Sequence, residues 1–220
     1  MCAAKIDKPI PYYLQLYREI KQRIYDRTYR AGDRINESQL SKEMGISRSP
    51  IREAMRLLEK DGLLVADEKL GFVVYSLTVN DVEHIYELRI ALEVLAVELA
   101  VQHASEQELV VVSDILDEVD RLIRDKADDE RIIDWNQKFH QEIAQCSHNP
   151  YLARQLSTIE ALIFYCRVMN FEGSGRATHI QDEHRQIFKA LKERDAQTAS
   201  AMMEKHLKHD LEHLYEVLTS

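Results

Sequence analysis

The sequence predicts a mainly α-helical chain in two parts: an N-terminal winged helix-turn-helix with a small β wing, and a C-terminal all-α bundle of about six helices. Three observations point there. Residues 34–62 hold two short helical patterns that meet at Gly45. Two strand-like runs follow at 63–65 and 72–75, around a turn ending at Gly71. Beyond residue 76 apolar residues recur at helical spacing, and the interruptions are caps, Asn-Pro and glycine. The boundary falls at residue 76, giving parts 1–76 and 77–220.

In chain order, Pro9-Ile10-Pro11 is a stiff lead-in. Residues 12–29 place Leu14, Tyr17, Ile20, Ile24 and Tyr25 at helical spacing, which makes a support helix for the small domain. Asn36 or Glu37 starts the next helix, with Leu40 and Met44 facing inward. Gly45 ends it, because glycine adopts the left-handed conformation cheaply. Ser47 is placed to cap the following helix, and Pro50 in its first turn costs no internal hydrogen bond. Ile51, Met55 and Leu58 hold that helix inward. Arg48, Ser49 and Arg52 are left at its exposed N-terminal end, the part of a recognition helix that enters a DNA major groove.

In the second part, Thr78 with Asp81 and Ser105 with Glu108 form capping boxes that open helices to about 103 and 124. Further helices are expected at 131–147, stopped by Asn149-Pro150, and at 151–171, broken by Gly173-Ser174-Gly175. The last two are expected at 177–194 and 196–218, separated near Asp195.

Charge divides along the same boundary. The whole chain carries a formal −9, but residues 1–75 are net positive and the remainder strongly negative. Only the first part is suited to approach phosphates. No apolar run reaches transmembrane length, and residues 1–10 lack the apolar core of a signal peptide. Cys2, Cys146 and Cys166 form no spaced framework, so they read as reduced thiols in a cytoplasmic protein.

The bundle contains a second constellation. Asn136 and His140 are four residues apart and point within about 40° of each other on a helix, so they can share a target. His184 and His206 lie on the last two helices. On one continuous helix they would be about 33 Å apart, so they meet only if the chain turns back near Asp195. Histidines and an amide oxygen converging inside a bundle suit a divalent transition metal. His206, His209 and His213 form one stripe, and spacing does not choose among them. The competing reading is a metal-dependent lyase or hydrolase fused to a DNA-binding domain. The absence of H-E-x-x-H, and of any evident carboxylate base beside the histidines, weighs against it.

The segments G-D-R-I-N-E-S-Q-L-S, G-I-S-R-S-P-I-R-E-A-M-R-L-L-E-K-D-G-L-L and G-F-V-V closely resemble the winged helix-turn-helix of the GntR family of bacterial transcription regulators. The resemblance implies DNA contacts from Ser38, from Ser47, Arg48, Ser49 and Arg52, and from the wing tip at Lys69 and Gly71. Leu70 stands where some relatives carry a histidine.

L-R-I-A-L-E, W-N-Q-K-F-H-Q-E-I-A, N-P-Y-L, D-E-H-R-Q-I-F-K-A-L-K-E-R-D-A and M-E-K-H-L resemble the FCD ligand-binding domain of the FadR-type branch. That resemblance implies a divalent transition metal (zinc, nickel or similar) on Asn136, His140, His184 and His206, with His209 and His213 left as surface residues. It also implies a small carboxylate effector held by the metal and an arginine, Arg89 in the matching place and Arg167 as second candidate. Asn136 stands where the family more often has aspartate. Three neutral imidazoles and an amide would leave the ion's charge uncompensated, so an anionic effector would be drawn to it. The expected protein is a homodimeric, metabolite-responsive regulator on a palindromic operator. A regulator sensing the metal itself is the further alternative.

Overall fold

The structure is a computed structural model that describes residues 10–67, 69–171 and 175–219. Cys2, Pro9, Gly173 and Ser174, singled out above, lie outside the described residues. The chain forms two compact units, Met1–Ser76 and Leu77–Ser220.

The first unit contains α1 (Tyr12–Tyr25), β1 (Arg34–Ile35), α2 (Glu37–Met44), α3 (Arg48–Lys60), β2 (Leu64–Asp67) and β3 (Gly71–Val74). Helix α1 stops at Tyr25, four residues before its expected end, and Arg27 just beyond it takes a positive φ of 63°. Its buried face is Leu16, Ile20, Ile24 and Tyr25, while Leu14 is only half-buried. These side chains pack with Ile51, Met55 and Leu58 of α3 in one core. The wing is three-stranded, not two-stranded, in the order β1-β3-β2 and antiparallel throughout. Arg34 pairs with Val73 and Ile35 with Phe72. A two-residue strand has no alternation to read, which is why the sequence pattern did not show β1.

The second unit comprises α4 (Val79–His103), α5 (Glu106–Arg124), α6 (Asp129–Cys146), α7 (Pro150–Thr158), α8 (Glu160–Asn170), α9 (Arg176–Lys192) and α10 (Ala196–Thr219). Both capping boxes form: Thr78 accepts from the Asp81 N–H and Ser105 from the Glu108 N–H, with each carboxylate bonded back. Among the described residues the bundle has seven helices rather than about six, because the helix expected at 151–171 is split at Ile159. Just before the break, Ser157 Oγ and Thr158 Oγ1 both donate to the Arg154 carbonyl, at 2.8 and 3.0 Å. Such back-bonding competes with the helix ladder and bends it.

Helix α4 packs along α10 and α6, and α9 along α10 and α5. The main core joins Val97 and Ala100 of α4 to Leu116, Phe139, Ile187 and Leu207. None of the helices is long and apolar enough to cross a membrane among the described residues. Cys146 and Cys166 are buried free thiols, and burial foremost pushes each pKa up to about 12. Neither forms appreciable thiolate near neutral pH. A thiol reagent added to native protein is therefore expected to spare both and to modify them once denaturant is present. Rapid native labelling of either, read by peptide mass spectrometry, would contradict this burial.

Candidate functional site

The exposed N-terminal end of α3 is positioned by the turn between α2 and α3. Asn36 caps α2 through its side chain, accepting from the Ser38 and Gln39 N–H groups at 2.9 and 3.2 Å. Gly45 ends α2 in the left-handed conformation at φ 64°. Ser41 Oγ donates to the Ile46 carbonyl at 2.7 Å and ties the turn down. Ser47 occupies the cap position of α3 but its side chain makes no cap hydrogen bond. The reason lies in the sequence: the third helical residue is Pro50, which has no N–H to offer. Ser47, Arg48, Ser49 and Arg52 are all exposed, and Ser38 is half-buried. Arg52 Nε donates to Glu37 Oε2 at 2.8 Å, so its guanidinium rests across the start of α2. Lys69 and Gly71 are exposed at the wing turn, where Asp67 Oδ1 accepts from the Lys69 and Leu70 N–H groups at 2.8 and 2.7 Å. Gly71 has φ +81°, a conformation that disfavours a side chain there.

Inside the bundle, α6, α9 and α10 bring His140, His184 and His206 together. All three are buried, and one ring nitrogen from each lies within 4.8 Å of the others. The reversal at Asp195, whose carboxylate caps α10 through Thr198, turns the chain back. His184 Nε2 and His206 Nε2 are consequently 3.2 Å apart. His184 is held by stacking on Phe139 at a centroid distance of 4.1 Å. His206 Nδ1 sits 2.7 Å from Glu183 Oε2, and His140 Nδ1 bonds to Glu93 Oε2. In neutral imidazoles these carboxylates select the Nδ1–H tautomer, which leaves each Nε2 lone pair free. Burial foremost drives His140 down to about 3, against the opposing pull of Glu93, and burial with neighbouring positive groups holds His184 well below the ordinary histidine range. Both are neutral near pH 7. His140 Nε2 is buried with no hydrogen-bond partner.

A second polar layer surrounds the triad. Arg89, fully buried, donates to Glu93 Oε1 at 2.6 Å and to Tyr86 Oη at 2.9 Å, and lies 3.6 Å from Asp210. Asp210 also accepts from Asn170 and Arg176 at 2.6 and 2.7 Å and is 3.7 Å from His206 Nε2. Burial raises the Glu93 pKa, but Arg89 and His140 outweigh it and hold the carboxyl well below its usual range.

A cavity of about 420 Å³ opens beside His140. Glu93, Gln137, His140 and Arg167 are among its polar lining residues, and Leu156 and Ile163 among its apolar ones. Arg167 is buried, donates to Gln137 Oε1 at 2.8 Å, and leaves Nε unsatisfied. It forms no ion pair among the described residues. Burial and the charge of Arg89 together lower it to about 10.

The description "Bacterial regulatory proteins, gntR family" matches residues 12–74, and "FCD domain" matches residues 84–209. The chain is 49% identical to an uncharacterized HTH-type transcriptional regulator, YdhC, of Bacillus subtilis, over 97% of this chain and 96% of that one. The chain belongs to the GntR family. A second relative of this regulator is the Nta operon transcriptional regulator of Aminobacter aminovorans, 31% identical over 86% of this chain and 88% of that one. Among solved structures, E. coli McbR/YncC shares the fold, with TM-score 0.79 and 22% identity, covering 94% of this chain and 99% of that one.

In this GntR-family chain the expected site residues separate into two groups. His140, His184 and His206 converge, and Asn136 is buried one turn before His140 on α6. Arg167 lines the cavity, whereas Arg89 does not and is instead enclosed between Glu93, Tyr86 and Asp210. No carboxylate base was evident beside the histidines in the sequence; the structure places two carboxylates there, Glu93 bonded to His140 and Glu183 to His206. Their pairing with Nδ1 and the lowered Glu93 pKa make them orienting partners rather than bases poised near neutral pH. His209 is also not a plain surface residue, since it is half-buried and bonds Glu183 Oε1 at 2.5 Å. Arg56 is also exposed, one turn beyond Arg52 on the same face of α3.

Proposed function

We propose that this GntR-family transcription regulator is switched by a small carboxylate that binds a divalent metal held in the C-terminal bundle. His140, His184 and His206 would hold the ion, with Asn136 as a further oxygen donor. The fit rests on donor chemistry. One ring nitrogen from each of three imidazoles lies within 4.8 Å of the others, and the 3.2 Å Nε2–Nε2 separation of His184 and His206 is close to the ~3.3 Å expected between two nitrogens bound to one tetrahedral ion. Bound there, the metal supplies a Lewis-acidic position for an anionic oxygen.

The observation that carries the reading is the buried, unsatisfied Nε2 of His140, a residue that lines a cavity together with Arg167. Buried polar atoms without partners are rare and call for a ligand or ion. Charge supports an anion. The buried carboxylates Glu93 and Asp210 are matched by the buried Arg89 and Arg167, so a dication would arrive without compensation. An anionic effector is thus favoured even though Glu93 and Asp210 supply acid groups beside the triad. Arg167, which has no ion pair of its own among the described residues, is the arginine placed to meet the far end of the carboxylate.

For the assembly, the proposal is a two-fold dimer on a palindromic operator. Leu88 and Leu95, 53% and 42% exposed, lie seven residues apart on one face of α4 and offer an apolar stripe for a second copy. Effector binding would couple to DNA by about 1–3 kcal/mol, the usual allosteric range.

Elemental analysis tests the metal. Purified protein is expected to contain about one divalent ion per chain. His140→Ala should lose it and His213→Ala should keep it, because His213 lies on the far stretch of α10 and pairs with Glu216 at 3.6 Å. Metal that follows His213, or that survives in His140→Ala, would remove the reading.

A further inference from the structure

A second cluster lies against the same helix pair, away from the cavity. His179 and Glu183 are one turn apart on α9, and His209 reaches them from α10. Glu183 Oε1 is 3.3 Å from His179 Nε2 and 2.5 Å from His209 Nδ1. The two imidazole rings are 6.0 Å apart, and one ligand atom from each of the three residues lies within 4.8 Å of the others. A separate cavity of about 190 Å³ opens against them.

We propose that His179, Glu183 and His209 form a second, exchangeable site for a divalent transition metal such as Zn²⁺. Two imidazoles and one carboxylate are a donor set that borderline metals accept while keeping positions open to water. The carboxylate is already fixed in place, because Glu183 Oε2 accepts from His206 Nδ1 at 2.7 Å, so Oε1 alone faces the outer pair. The site stands beside solvent: the His179 side chain is 55% exposed and that of His209 33%. An ion there keeps part of its hydration and exchanges readily, unlike one at the buried triad. Lys205 also lines the cavity and opposes a cation, but Asp182 lines it too and offsets that charge. The site goes beyond the buried centre and does not require it.

The test is a Zn²⁺ titration of chelator-stripped, full-length protein in competition with a chromophoric chelator. Wild type is expected to take two equivalents, the second weaker than the first. His179→Ala and His209→Ala should each weaken only the second, by more than the ~10-fold that loss of an outer-shell partner costs. His148→Ala should keep both, since His148 stacks with His103 at 6.1 Å in a different part of the bundle. His184→Ala should lose the tight equivalent and retain the weak one. If the tight equivalent is missing from wild type while a weak one still follows His179 and His209, the outer site stands and the buried-centre reading fails. The outer site is overturned if stripped wild type takes one equivalent only and that equivalent is unaffected by His179→Ala and His209→Ala. It is equally overturned if the weaker equivalent persists in His179→Ala and His209→Ala, or is lost in His148→Ala.

Discussion

Arg52→Ala is expected to abolish specific operator binding while leaving the protein folded. Arg52 is exposed on α3, one turn from Arg48, at the end of the helix that a winged helix-turn-helix directs into the major groove. A bidentate arginine–guanine contact carries about 1–3 kcal/mol of discrimination, and a two-fold assembly uses it twice. The expected loss is then about 2–6 kcal/mol, or roughly 30-fold to beyond 10⁴-fold in affinity. In the free protein Arg52 bonds Glu37 Oε2 at 2.8 Å. An exposed ion pair of this kind contributes only about 0–1 kcal/mol, so the melting temperature should scarcely change. Glu37→Gln separates the two roles, because it releases the guanidinium without removing it and should retain operator binding. Fluorescence anisotropy on an operator selected from random duplexes reads all three proteins. Unchanged affinity for Arg52→Ala would remove the assignment of α3 as the reading helix.

The second large effect is expected at His184, which is 1% exposed, stacked on Phe139 and 3.2 Å from His206. If the triad holds an ion at a hundred to a thousand times its dissociation constant, the ion stabilises the native bundle by about 2.7–4.1 kcal/mol. Stripping wild type with a chelator should therefore lower its melting temperature by roughly 5–16 °C for a chain of this size. His184→Ala should lose that amount and more, since removing a buried ring also leaves a cavity. The variant should no longer show that large chelator-dependent drop in melting temperature. Continued sensitivity of that size to chelator in His184→Ala would place the stabilising ion elsewhere.

Much of the fold was legible because its signals are local. Gly45, the Thr78–Asp81 and Ser105–Glu108 boxes, and Asn149-Pro150 each act within one turn of helix, and each forms as the sequence implies. What escaped depends on side chains answering to distant or competing partners. The break at Ile159 arises from two hydroxyls competing for one carbonyl, and β1 exists only because β3 is there to pair with it. The cap at Ser47 fails because Pro50 removes the N–H that would complete it.

The buried centre divides in the same way. The spacing of Asn136 and His140 could be read on one helix, but the choice of His206 from its stripe came from family resemblance. The carboxylates have sequence signals of their own: Arg89 and Glu93 have the i,i+4 spacing of a helical ion pair, and Glu183 directly precedes His184. Their pairing with His140 and His206 spans 47 and 23 residues, which no periodicity reveals. Arg89 was favoured over Arg167 because its place matched the family. Only the packing shows that Arg89 is already neutralised and that Arg167 faces the cavity.

The most direct test of the central claim is a thermal-shift screen of small carboxylates against metal-loaded protein, stripped protein and metal-loaded Arg167→Ala. A carboxylate that binds the ion at one end and Arg167 at the other should raise the melting temperature of metal-loaded wild type, by mass action. It should do little for the stripped protein, and Arg167→Ala should need a much higher concentration for the same shift while retaining its metal. A carboxylate that stabilises stripped and loaded protein equally would contradict the account, because the metal would then have no part in holding the effector.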